Sequence, residues 1–405
     1  MPRPRRILFL TGRLRNGGSE HVLLQHALAL DRARFTPAIL AIEPNTANRE
    51  RYLAAGIPVG GPPAGGGGRL QVLRFLRLLR QWCASGRVDL VHAWITITAV
   101  LGPLVSRAGT GVPVVTSQRN LGDWLDPLQR RIYRWSNARY VDAMIVNSEA
   151  IRRRVLEERL CPPDRIRVVP NGVDVAHFRP AGDRDHLRRD LGLPTGVPLL
   201  GMMGRLKPLK GQQDLLAALG LLGREGVTFH AVVVGEGPDR AALEDLARAQ
   251  GLQGRVQFLG LQEGLPALYA ACDVCALCSR SEGLPNVLLE AMASGCAVVS
   301  TPVGGVPEVL RDGVEGFHYP AGDVDALAAA LRRLLGEPTL RADMGRAGRK
   351  RVVSRFGWDA MQRAMESVYD AVLEGGGVLV GPRAAHGDDR YRGGQHVGPP
   401  RDARL

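Results

Sequence analysis

The chain has 405 residues, too many for a single hydrophobic core to be the default, so we expect two domains. Its hydrophobic fraction of 45% is typical of a globular protein, and no apolar run approaches the roughly 20 residues that a membrane-spanning helix requires. The net charge of +13 is carried by residues 1–180, where 27 arginines outnumber 13 acidic residues, and such an excess favours an anionic partner.

Short apolar runs alternate with helix-length periodic segments along both halves of the chain. This alternation predicts parallel sheets that are covered by helices on both faces. Twelve strands require two such sheets, so the expected fold class is α/β, with two facing Rossmann-like, doubly wound domains and a cleft between them. The predicted strands are RRILFLTG, PAILAI, VDLVHAW, VPVVTSQ, AMIVNS and IRVVP, then PLLGMMG, HAVVVGE, VQFLG, VCALCS, AVVST and GFHYP.

The boundary between the two sheets is predicted at VVPNGVDVAHFRPAGDRD, where a strand ends in an Asn-Gly turn and a polar linker follows. This gives a first domain over residues 1–180 and a second over 181–356. Residues 357–374 continue the helical pattern as a terminal helix. Residues 375–405 contain glycine, proline and charge without periodicity, which predicts a disordered tail.

Three of the six cysteines, Cys272, Cys275 and Cys278, form the run CDVCALC, whose spacing resembles the ligands of an iron–sulfur cluster or a zinc ion. The segment also has the pattern of a buried strand, on which Cys275 and Cys278 would point to opposite faces. We therefore expect core thiols and no metal.

The loop GRLKPLKG follows a predicted strand, precedes a helix, and contains Arg205 and Lys210. Free backbone amides at the start of a helix, with two cations beside them, form a site suited to a pyrophosphate. Only three lysines occur among the 53 basic residues of the chain, and two of them, Lys207 and Lys210, lie in this loop. A solvated basic turn is the alternative interpretation.

The run SRSEGLPNVLLEAMASG (279–295) places Glu282 before a predicted helix and Glu290 inside it. Gly283 and Pro285 prevent one continuous helix, and the proline suits the first helical turn. The amides of residues 286–288 are then free for phosphate oxygens, while Glu282 can reach a polyol and Glu290 a ribose diol. Two carboxylates beside a diphosphate-binding helix end predict a site for a sugar nucleotide.

In order and spacing, GRLKPLKG, VVVGEGPDR, VQFLG and EGLPNVLLEAMASGCAVVSTPVGGVPEVL resemble the donor-binding half of the family 4 retaining glycosyltransferases of the GT-B fold, the glycosyl transferases group 1. The resemblance covers nearly all of residues 5–373 and includes GGSE after the first strand. It implies an acceptor-binding first domain, a donor-binding second domain, and a terminal helix that packs back on the first domain.

The resemblance implies that Arg205, Lys210 and Glu282 act in catalysis. The two cations would bind the donor diphosphate, Glu282 would lie close to the transferred sugar, and Glu290 would contact the ribose hydroxyls. The other donor-binding residues that it implies are Gly17, Gly18, Phe258, Leu259, Gly283, Leu284, Pro285, Asn286, Val287 and Leu288. No metal and no cofactor are implied, because arginine and lysine supply the positive charge.

The implied reaction moves a hexosyl or N-acetylhexosaminyl group, with retention, from a nucleotide sugar to a glycan, lipid-linked or small-molecule acceptor. We expect a UDP-linked donor. Many members of the family carry a histidine after the fifth strand of the first domain, whereas this chain has Gln118, Arg119 and Asn120 there. We expect Arg119 and Asn120 on the acceptor side. His92, at the end of a neighbouring strand, is a further candidate for the acceptor side, and a structural role is the alternative interpretation, because a lone histidine at a strand end is more often structural.

The segment RLQVLRFLRLLRQW (69–82) has Phe75 and Leu79 on one side of a helix and Arg77 and Arg80 on the other. This pattern is typical of an interfacial membrane helix and equally of a helix that packs on a sheet. Together with the basic first half it favours peripheral contact with the anionic inner face of the cell membrane. The expected compartment is the cytoplasm, because the sequence shows no signal peptide and no membrane-spanning run. No nucleic-acid partner is expected.

Two other functions stay open at this point. A dinucleotide-dependent oxidoreductase would share doubly wound sheets, but VVVGEGPDR supplies only Gly235, Gly237 and Arg240, without the third glycine of the dinucleotide motif. A non-catalytic protein that binds anionic polymers or membranes would explain the basic half. It would leave the Arg-Lys and Glu-Glu pairs without a role.

Overall fold

The first strand explains why the chain folds into a sheet that is covered on both faces. Strand β1 (Arg5–Arg13) places Ile7 and Phe9 in one apolar cluster, and Leu8 and Leu10 in another. Side chains alternate between the two faces of a strand, so a strand with consecutive apolar residues is stable only when helices cover both faces. The same condition holds for the strands beside it.

The computed structural model describes residues 3–14, 17–46, 48–63, 68–94, 97–120 and 126–375. Within them, the first domain has a seven-stranded parallel sheet in the order β3-β2-β1-β4-β5-β6-β7. The other strands are β2 (Phe35–Glu43), β3 (Val59–Gly60), β4 (Leu90–Ala93), β5 (Val114–Gln118), β6 (Ala143–Val146) and β7 (Ile166–Val168). The helices are α1 (Gly18–Ala29), α2 (Arg49–Ala54), α3 (Gly68–Ala84), α4 (Ile97–Pro103), α5 (Pro127–Tyr140) and α6 (Glu149–Glu157).

The second domain has a six-stranded parallel sheet in the order β10-β9-β8-β11-β12-β13. Its strands are β8 (Leu199–Met203), β9 (His230–Val234), β10 (Val256–Gly260), β11 (Val274–Leu277), β12 (Ala297–Ser300) and β13 (Gly316–His318). Its helices are α7 (Arg184–Asp190), α8 (Gln212–Arg224), α9 (Arg240–Ala249), α10 (Leu265–Ala271), α11 (Asn286–Ala293), α12 (Val306–Val309), α13 (Val324–Gly336) and α14 (Pro338–Arg355). A last helix, α15 (Trp358–Leu373), follows. None of the helices described is long and apolar enough to cross a membrane.

The predicted fold class is confirmed, since both halves form parallel sheets covered by helices on both faces. Each predicted strand overlaps an observed one, whereas β3 was missed because its two residues contain no apolar run. Cys275 and Cys278 lie in core clusters on opposite faces of the second sheet, as predicted. The predicted tail, apart from Gly375, lies outside the described residues.

The chain passes between the domains twice, and the two crossings are hydrogen-bonded to each other. The Val173 N–H donates to the Phe356 carbonyl oxygen at 2.9 Å, and the Trp358 N–H donates to the Val173 carbonyl oxygen at 3.0 Å. Gly172 packs against the second crossing, where a Cβ would lie 2.9 Å from the Trp358 Cα. The two linkers therefore form a single hinge unit.

Helix α15 packs on the first domain, and its polar side chains complete a buried network there. The His26 Nδ1 lies 2.7 Å from the Gln362 Oε1, which can only accept, so this nitrogen carries the proton. The His26 Nε2 then accepts from the Tyr369 hydroxyl at 2.7 Å. The oxygen of that hydroxyl accepts from the His92 Nδ1 at 2.7 Å, and the Ser117 hydroxyl donates to the His92 Nε2 at 2.8 Å. Both histidines are therefore held in the neutral form.

We predict that the folded state loses stability as the pH falls. Burial lowers the pKa of His26 from 6.5 to about 4 and that of His92 well below its usual value. The unfolded chain binds protons in this range while the folded chain does not, so stability is full above pH 6.5 and declines toward pH 4. For His26 the decline is on the order of 3 kcal/mol.

Urea unfolding at a series of pH values measures this effect. The variant His26→Gln should show a shallower decline than the wild type, whatever its stability at neutral pH. The variant His186→Gln, at an exposed position on α7, is the matched control and should keep the wild-type slope. Equal slopes for wild type and His26→Gln would contradict the prediction.

Candidate functional site

The loops that follow the strands of the two sheets meet in the middle of the molecule. The segment after β11, residues 279–286 and here called the donor loop, contacts the loops that follow β5 and β6 of the first sheet. The start of α1, which follows β1, contacts Asn286 at the end of the donor loop. Carboxyl ends of parallel strands are where ligands bind in open α/β sheets, so this seam is the candidate site.

The backbones of the two domains approach closely at Gly283. A Cβ at this position would lie 2.3 Å from the Arg119 carbonyl oxygen and 3.0 Å from the Asn147 Oδ1. Behind it, the Gly305 N–H donates to the Gly283 carbonyl oxygen at 2.6 Å. Gly304 has a φ of +56°, and a Cβ there would lie 1.8 Å from the Glu282 carbonyl oxygen. Glycine is required at both positions because backbone fills the space that a side chain would occupy.

Residues 204–211, here called the cation loop, join β8 to α8. Gly211 is the N-cap of α8 with a φ of +68°, and a Cβ there would lie 2.2 Å from the carbonyl oxygen of Cys278, the residue before the donor loop. The Arg280 N–H donates to the Leu209 carbonyl oxygen at 2.9 Å, so the cation loop packs directly on the donor loop. Arg205 is exposed, while Lys207 and Lys210 are partly buried. This packing brings the cations of one loop to the carboxylate of the other.

Glu282 receives two strong hydrogen bonds through its Oε1. The Lys210 Nζ donates at 2.5 Å and the Ser279 hydroxyl at 2.6 Å. The side chains of Lys210 and Glu282 are 22% and 11% exposed, so the ion pair is shielded from water but reachable from the seam. The serine fixes the orientation of the carboxylate, because its own oxygen is buried behind the loop.

Positive charge exceeds negative charge in the cation loop. Burial lowers the pKa of Lys207, the nearby charges of Lys210 and Arg205 lower it further, and Glu282 opposes them. Neither Arg205 nor Lys207 has an ion pair among the described residues. A cluster of three cations with one carboxylate is stabilised by an anionic ligand.

Helix α11 starts at Asn286, so Pro285 is its N-cap residue. The sequence had suggested that Pro285 lies in the first turn of the helix, and this prediction is wrong. The fixed ring of Pro285 still separates the donor loop from the helix. The Leu288 N–H donates to the Pro285 carbonyl oxygen at 3.2 Å and is therefore engaged. The amides of Asn286 and Val287 have no acceptor among the described residues, and they remain available to a ligand.

Glu290 lies one turn into α11 and is partly buried beside Tyr269. Burial raises the pKa of Glu290 to about 7, and the Tyr269 hydroxyl opposes part of this rise. A cavity between α11 and the ends of β8 and β11 is lined by residues that include Met203, Leu277, Tyr269, Val287 and Leu288. Because its pKa is about 7, the Glu290 carboxyl group changes its charge near neutral pH.

Phe258 and Leu259 lie near the end of β10 and are partly buried, one on each face of the second sheet. The loop after the neighbouring strand β9 packs on the cation loop, because a Cβ at Gly235 would lie 2.0 Å from the Gly204 carbonyl oxygen. The predicted base-binding pair thus lies at the same edge of the sheet as the cation loop, with β9 between their strands. Gly17 is the N-cap of α1, and the Gly18 carbonyl oxygen accepts from the Asn286 Nδ2 at 3.1 Å.

The three residues considered for the acceptor side, Arg119, Asn120 and His92, differ in how deeply they are buried. Arg119 is 9% exposed, its guanidinium lies 4.7 Å above the Trp94 ring, and burial lowers its pKa to about 10. Asn120 is exposed at the end of β5. His92 is fully buried with both ring nitrogens bonded to protein, so its acceptor-side interpretation is wrong and its role is the structural alternative. Its place is in the network beneath α15.

The structure adds three polar residues that the sequence did not single out. Ser279 orients Glu282, as described above. Asn171, in the Asn-Gly turn between the domains, donates from its Nδ2 to the Leu284 carbonyl oxygen at 2.7 Å. The Glu308 carboxylate on α12 accepts from the N–H groups of Glu149 and Ala150, both at 2.9 Å, and thereby caps α6 of the other domain. The Asn-Gly turn was visible in the sequence, but it indicated only a domain boundary.

The described residues contain no group of three or more His, Cys, Asp or Glu side chains arranged to hold a metal ion. The positive charge of the seam comes from the cation loop and from the amides of α11. An anionic group that carries a polar, hydroxyl-rich substituent would find cations, amides and a carboxylate within one site.

Comparison with known proteins identifies the family. A family model described as Glycosyl transferases group 1 matches residues 183–351, and one described as Glycosyltransferase Family 4 matches residues 16–177. The D-inositol 3-phosphate glycosyltransferase of Corynebacterium jeikeium is 32% identical over an alignment of 346 residues, and the match covers 80% of this chain and 80% of that protein. The chain belongs to glycosyltransferase family 4. A relative of the same name from Salinispora tropica is 34% identical over 317 residues, and the match spans 72% of this chain and 66% of that protein.

Solved structures agree on the fold of this glycosyltransferase. HepE of Anabaena, crystallised in complex with UDP, has a TM-score of 0.80 at 23% identity, with 90% of this chain and 100% of that chain covered. Sucrose-phosphate synthase of Thermosynechococcus elongatus has a TM-score of 0.80 at 22% identity, with 92% and 100% covered. The fold is GT-B, and the oxidoreductase and non-catalytic interpretations are set aside because the family is one of glycosyltransferases.

We predict that Gly283→Ala destabilises the protein by about 1–3 kcal/mol, because the added methyl group collides with backbone of the other domain. Gly264→Ala is the matched control, since a Cβ there meets nothing within 4 Å. Thermal unfolding of both variants measures the difference. Unfolding of Gly283→Ala at the temperature of the control would contradict the close approach of the two backbones.

Proposed function

We propose that this glycosyltransferase moves a sugar from a nucleoside diphosphate sugar to an acceptor hydroxyl, with retention of configuration at the anomeric carbon and without a metal. The observation that carries the proposal is the Lys210–Glu282 pair, set among the cations of residues 204–211 and next to the start of α11. This arrangement supplies positive charge for a departing diphosphate and a carboxylate for the sugar that it carries.

In the proposed reaction the bond between the anomeric carbon and the diphosphate oxygen breaks first, and the sugar develops oxocarbenium character. Arg205, Lys210 and the amides at the start of α11 bind the negative charge that forms on the diphosphate. The acceptor oxygen then bonds to the anomeric carbon on the same face. Its proton passes to an oxygen of the departing diphosphate, so no protein nucleophile takes part.

We propose UDP as the nucleoside diphosphate of the donor. Support comes from the solved neighbours, since HepE was crystallised with UDP and with UDP-glucose. In this chain the base would lie against Phe258 and Leu259, and Glu290 would accept hydrogen bonds from the ribose hydroxyls. The pKa of Glu290, about 7, makes its ionised form available above neutral pH.

We propose that the acceptor enters beside Arg119 and Asn120 and belongs to the glycan, lipid-linked or small-molecule polyol classes. The relatives named D-inositol 3-phosphate glycosyltransferase act, by name, on a phosphorylated polyol. Arg119 has no ion pair with an acid among the described residues, which suits an acceptor that carries negative charge. Its guanidinium remains charged at neutral pH because its pKa is about 10.

We predict that Lys210→Ala and Glu282→Gln each lower sugar transfer by at least about 100-fold, because each removes charge stabilisation at the reacting diphosphate sugar. The donor is first chosen by thermal shift against UDP-, GDP-, ADP- and dTDP-sugars, since a bound ligand raises the unfolding temperature. Turnover of the selected donor is then measured for wild type and variants.

Lys350→Ala is the control for the lysine variant, because Lys350 is the remaining lysine of the chain and is exposed on α14. It should retain wild-type turnover. Circular dichroism and unfolding temperature establish that the variants are folded. Near-normal transfer by either Lys210→Ala or Glu282→Gln would refute the roles proposed for them.

We also propose that the first domain contacts anionic membranes through the outer sides of α3 and α5. Both helices cover the same face of the first sheet, because Phe75 and Tyr133 pack in one core cluster. Their outer sides expose large apolar residues, with Leu73 63% exposed and Trp135 53% exposed, among arginines of both helices. Exposed apolar groups surrounded by arginine suit an interface with anionic lipid.

We predict that the protein sediments with phosphatidylserine-containing vesicles at low salt and is released at high salt, because salt screens surface charge. Leu73→Glu should sediment less, since it removes an exposed apolar contact and adds negative charge. Leu261→Glu, which changes an exposed leucine of the second domain, is the control and should bind as the wild type does. Failure of the wild type to sediment at low salt would exclude the proposed contact.

A further inference from the structure

We propose that Asn171 is a positioning residue that holds Arg119 and the donor loop in register, and so aligns acceptor and donor across the seam. The inference rests on the proposed function, because it assigns a role within the same site. Asn171 lies between β7 and α7, where the chain passes from the first domain to the second, and it is 5% exposed.

The side-chain amide of Asn171 is hydrogen-bonded on both ends. Its Oδ1 accepts from the Arg119 Nη2 at 2.5 Å. Its Nδ2 donates to the Leu284 carbonyl oxygen at 2.7 Å and to the Asn286 Oδ1 at 2.7 Å. One side chain thereby joins the end of β5 in the first domain to the donor loop and α11 in the second.

These bonds belong to a closed ring of contacts that crosses the seam twice. From Asn286 the ring continues through the Nδ2, which donates to the Gly18 carbonyl oxygen at 3.1 Å. The next residue, Ser19, accepts through its carbonyl oxygen from the Trp94 Nε1 at 3.0 Å. The Arg119 guanidinium lies 4.7 Å above the Trp94 ring and closes the circuit back to Asn171.

The position of Arg119 depends on Asn171. The Arg119 Nη1 is buried without a hydrogen-bond partner among the described residues, and the bond from Nη2 to Asn171 restrains the rotation of the guanidinium. Stacking on the face of Trp94 restrains the plane of the Arg119 guanidinium, but it does not restrain rotation of the guanidinium within that plane. Without Asn171 the Arg119 guanidinium would still stack on the Trp94 ring, but it would no longer be held in one orientation.

Asparagine suits this position because the position demands an acceptor on one side and two donated hydrogens on the other. Aspartate could accept from Arg119 but would face two oxygens with no hydrogen to donate. Alanine would leave all the partners unpaired in a buried place. Gly172, the next residue, is fixed against the second crossing, so Asn171 stands on the hinge unit itself.

The test measures binding and turnover separately in Asn171→Ala and Asn171→Asp. The residues proposed to bind UDP, apart from Gly17 and Gly18, are in the second domain, so the dissociation constant of UDP should change by less than about threefold. The turnover number at saturating donor should fall roughly tenfold to hundredfold in both variants, because the loss of several hydrogen bonds depopulates the aligned state. A residue that only stabilises the fold would lower the unfolding temperature and leave the turnover number unchanged.

Asn137→Ala is the matched control. Asn137 is a buried asparagine whose Nδ2 donates to the Leu160 carbonyl oxygen at 3.0 Å, within the first domain alone. It should lose stability and keep its turnover number. The double variant Asn171→Ala/Asn286→Ala should be no slower than the slower of its single variants, because both residues serve one ring. A turnover number of Asn171→Ala within about twofold of that of Asn137→Ala would overturn the proposal.

Small-angle scattering keeps the two proposals separable. If the wild type transfers no sugar from any nucleotide donor, the proposed function fails, and the ring is still tested by the shape of the free protein. Asn171→Ala should then have a larger radius of gyration than both wild type and Asn137→Ala, since the domains separate when the ring opens. Equal radii for the three proteins would overturn the ring as a link between the domains.

Discussion

The two domains meet backbone to backbone at Gly283, and the candidate site depends on the absence of a side chain there. The Arg119 carbonyl oxygen lies where a Cβ of residue 283 would be. Gly304 and Gly305 pack against the other side of the donor loop, and a Cβ at either position would collide with its backbone. This contact brings the donor loop within reach of the first domain. The ring through Asn171 requires that distance, because its hydrogen bonds join the end of β5 to the donor loop.

Charge is distributed unevenly across this contact. The second domain concentrates cations in residues 204–211 and balances them with Glu282 alone, while the first domain contributes the buried guanidinium of Arg119. Burying cations without partners costs stability unless an anion is present. A phosphorylated ligand would therefore stabilise this arrangement of charges as well as bind to it.

The sequence was most informative where local pattern decides structure. Consecutive apolar residues predicted the strands, and the runs GRLKPLKG and EGLPN predicted two loops that the structure brings into contact through Lys210 and Glu282. It was least informative where the partner is distant in the chain. The sequence left His92 open as a residue of the cleft or a structural histidine, because its hydrogen-bond partner Tyr369 lies 277 positions away.

The same limit applies to the links between the domains. The Asn-Gly turn at Asn171 marked a boundary correctly, but its bond to Leu284 spans 113 positions. Glu308 caps α6 across 159 positions, and the run in which it lies gave no indication of a helix start elsewhere. Such contacts follow from how two completed sheets face each other, which local patterns of polarity do not encode.

Helix α15 has a consequence for the order in which the protein acquires its structure during synthesis. Its residues Met365 and Tyr369 fill the core of the first domain, although almost the whole second domain is translated before them. A nascent chain that leaves the ribosome from its N-terminus therefore exposes the apolar groove of the first domain until the last helix emerges. The second domain can therefore fold completely before the first domain receives α15, its last helix.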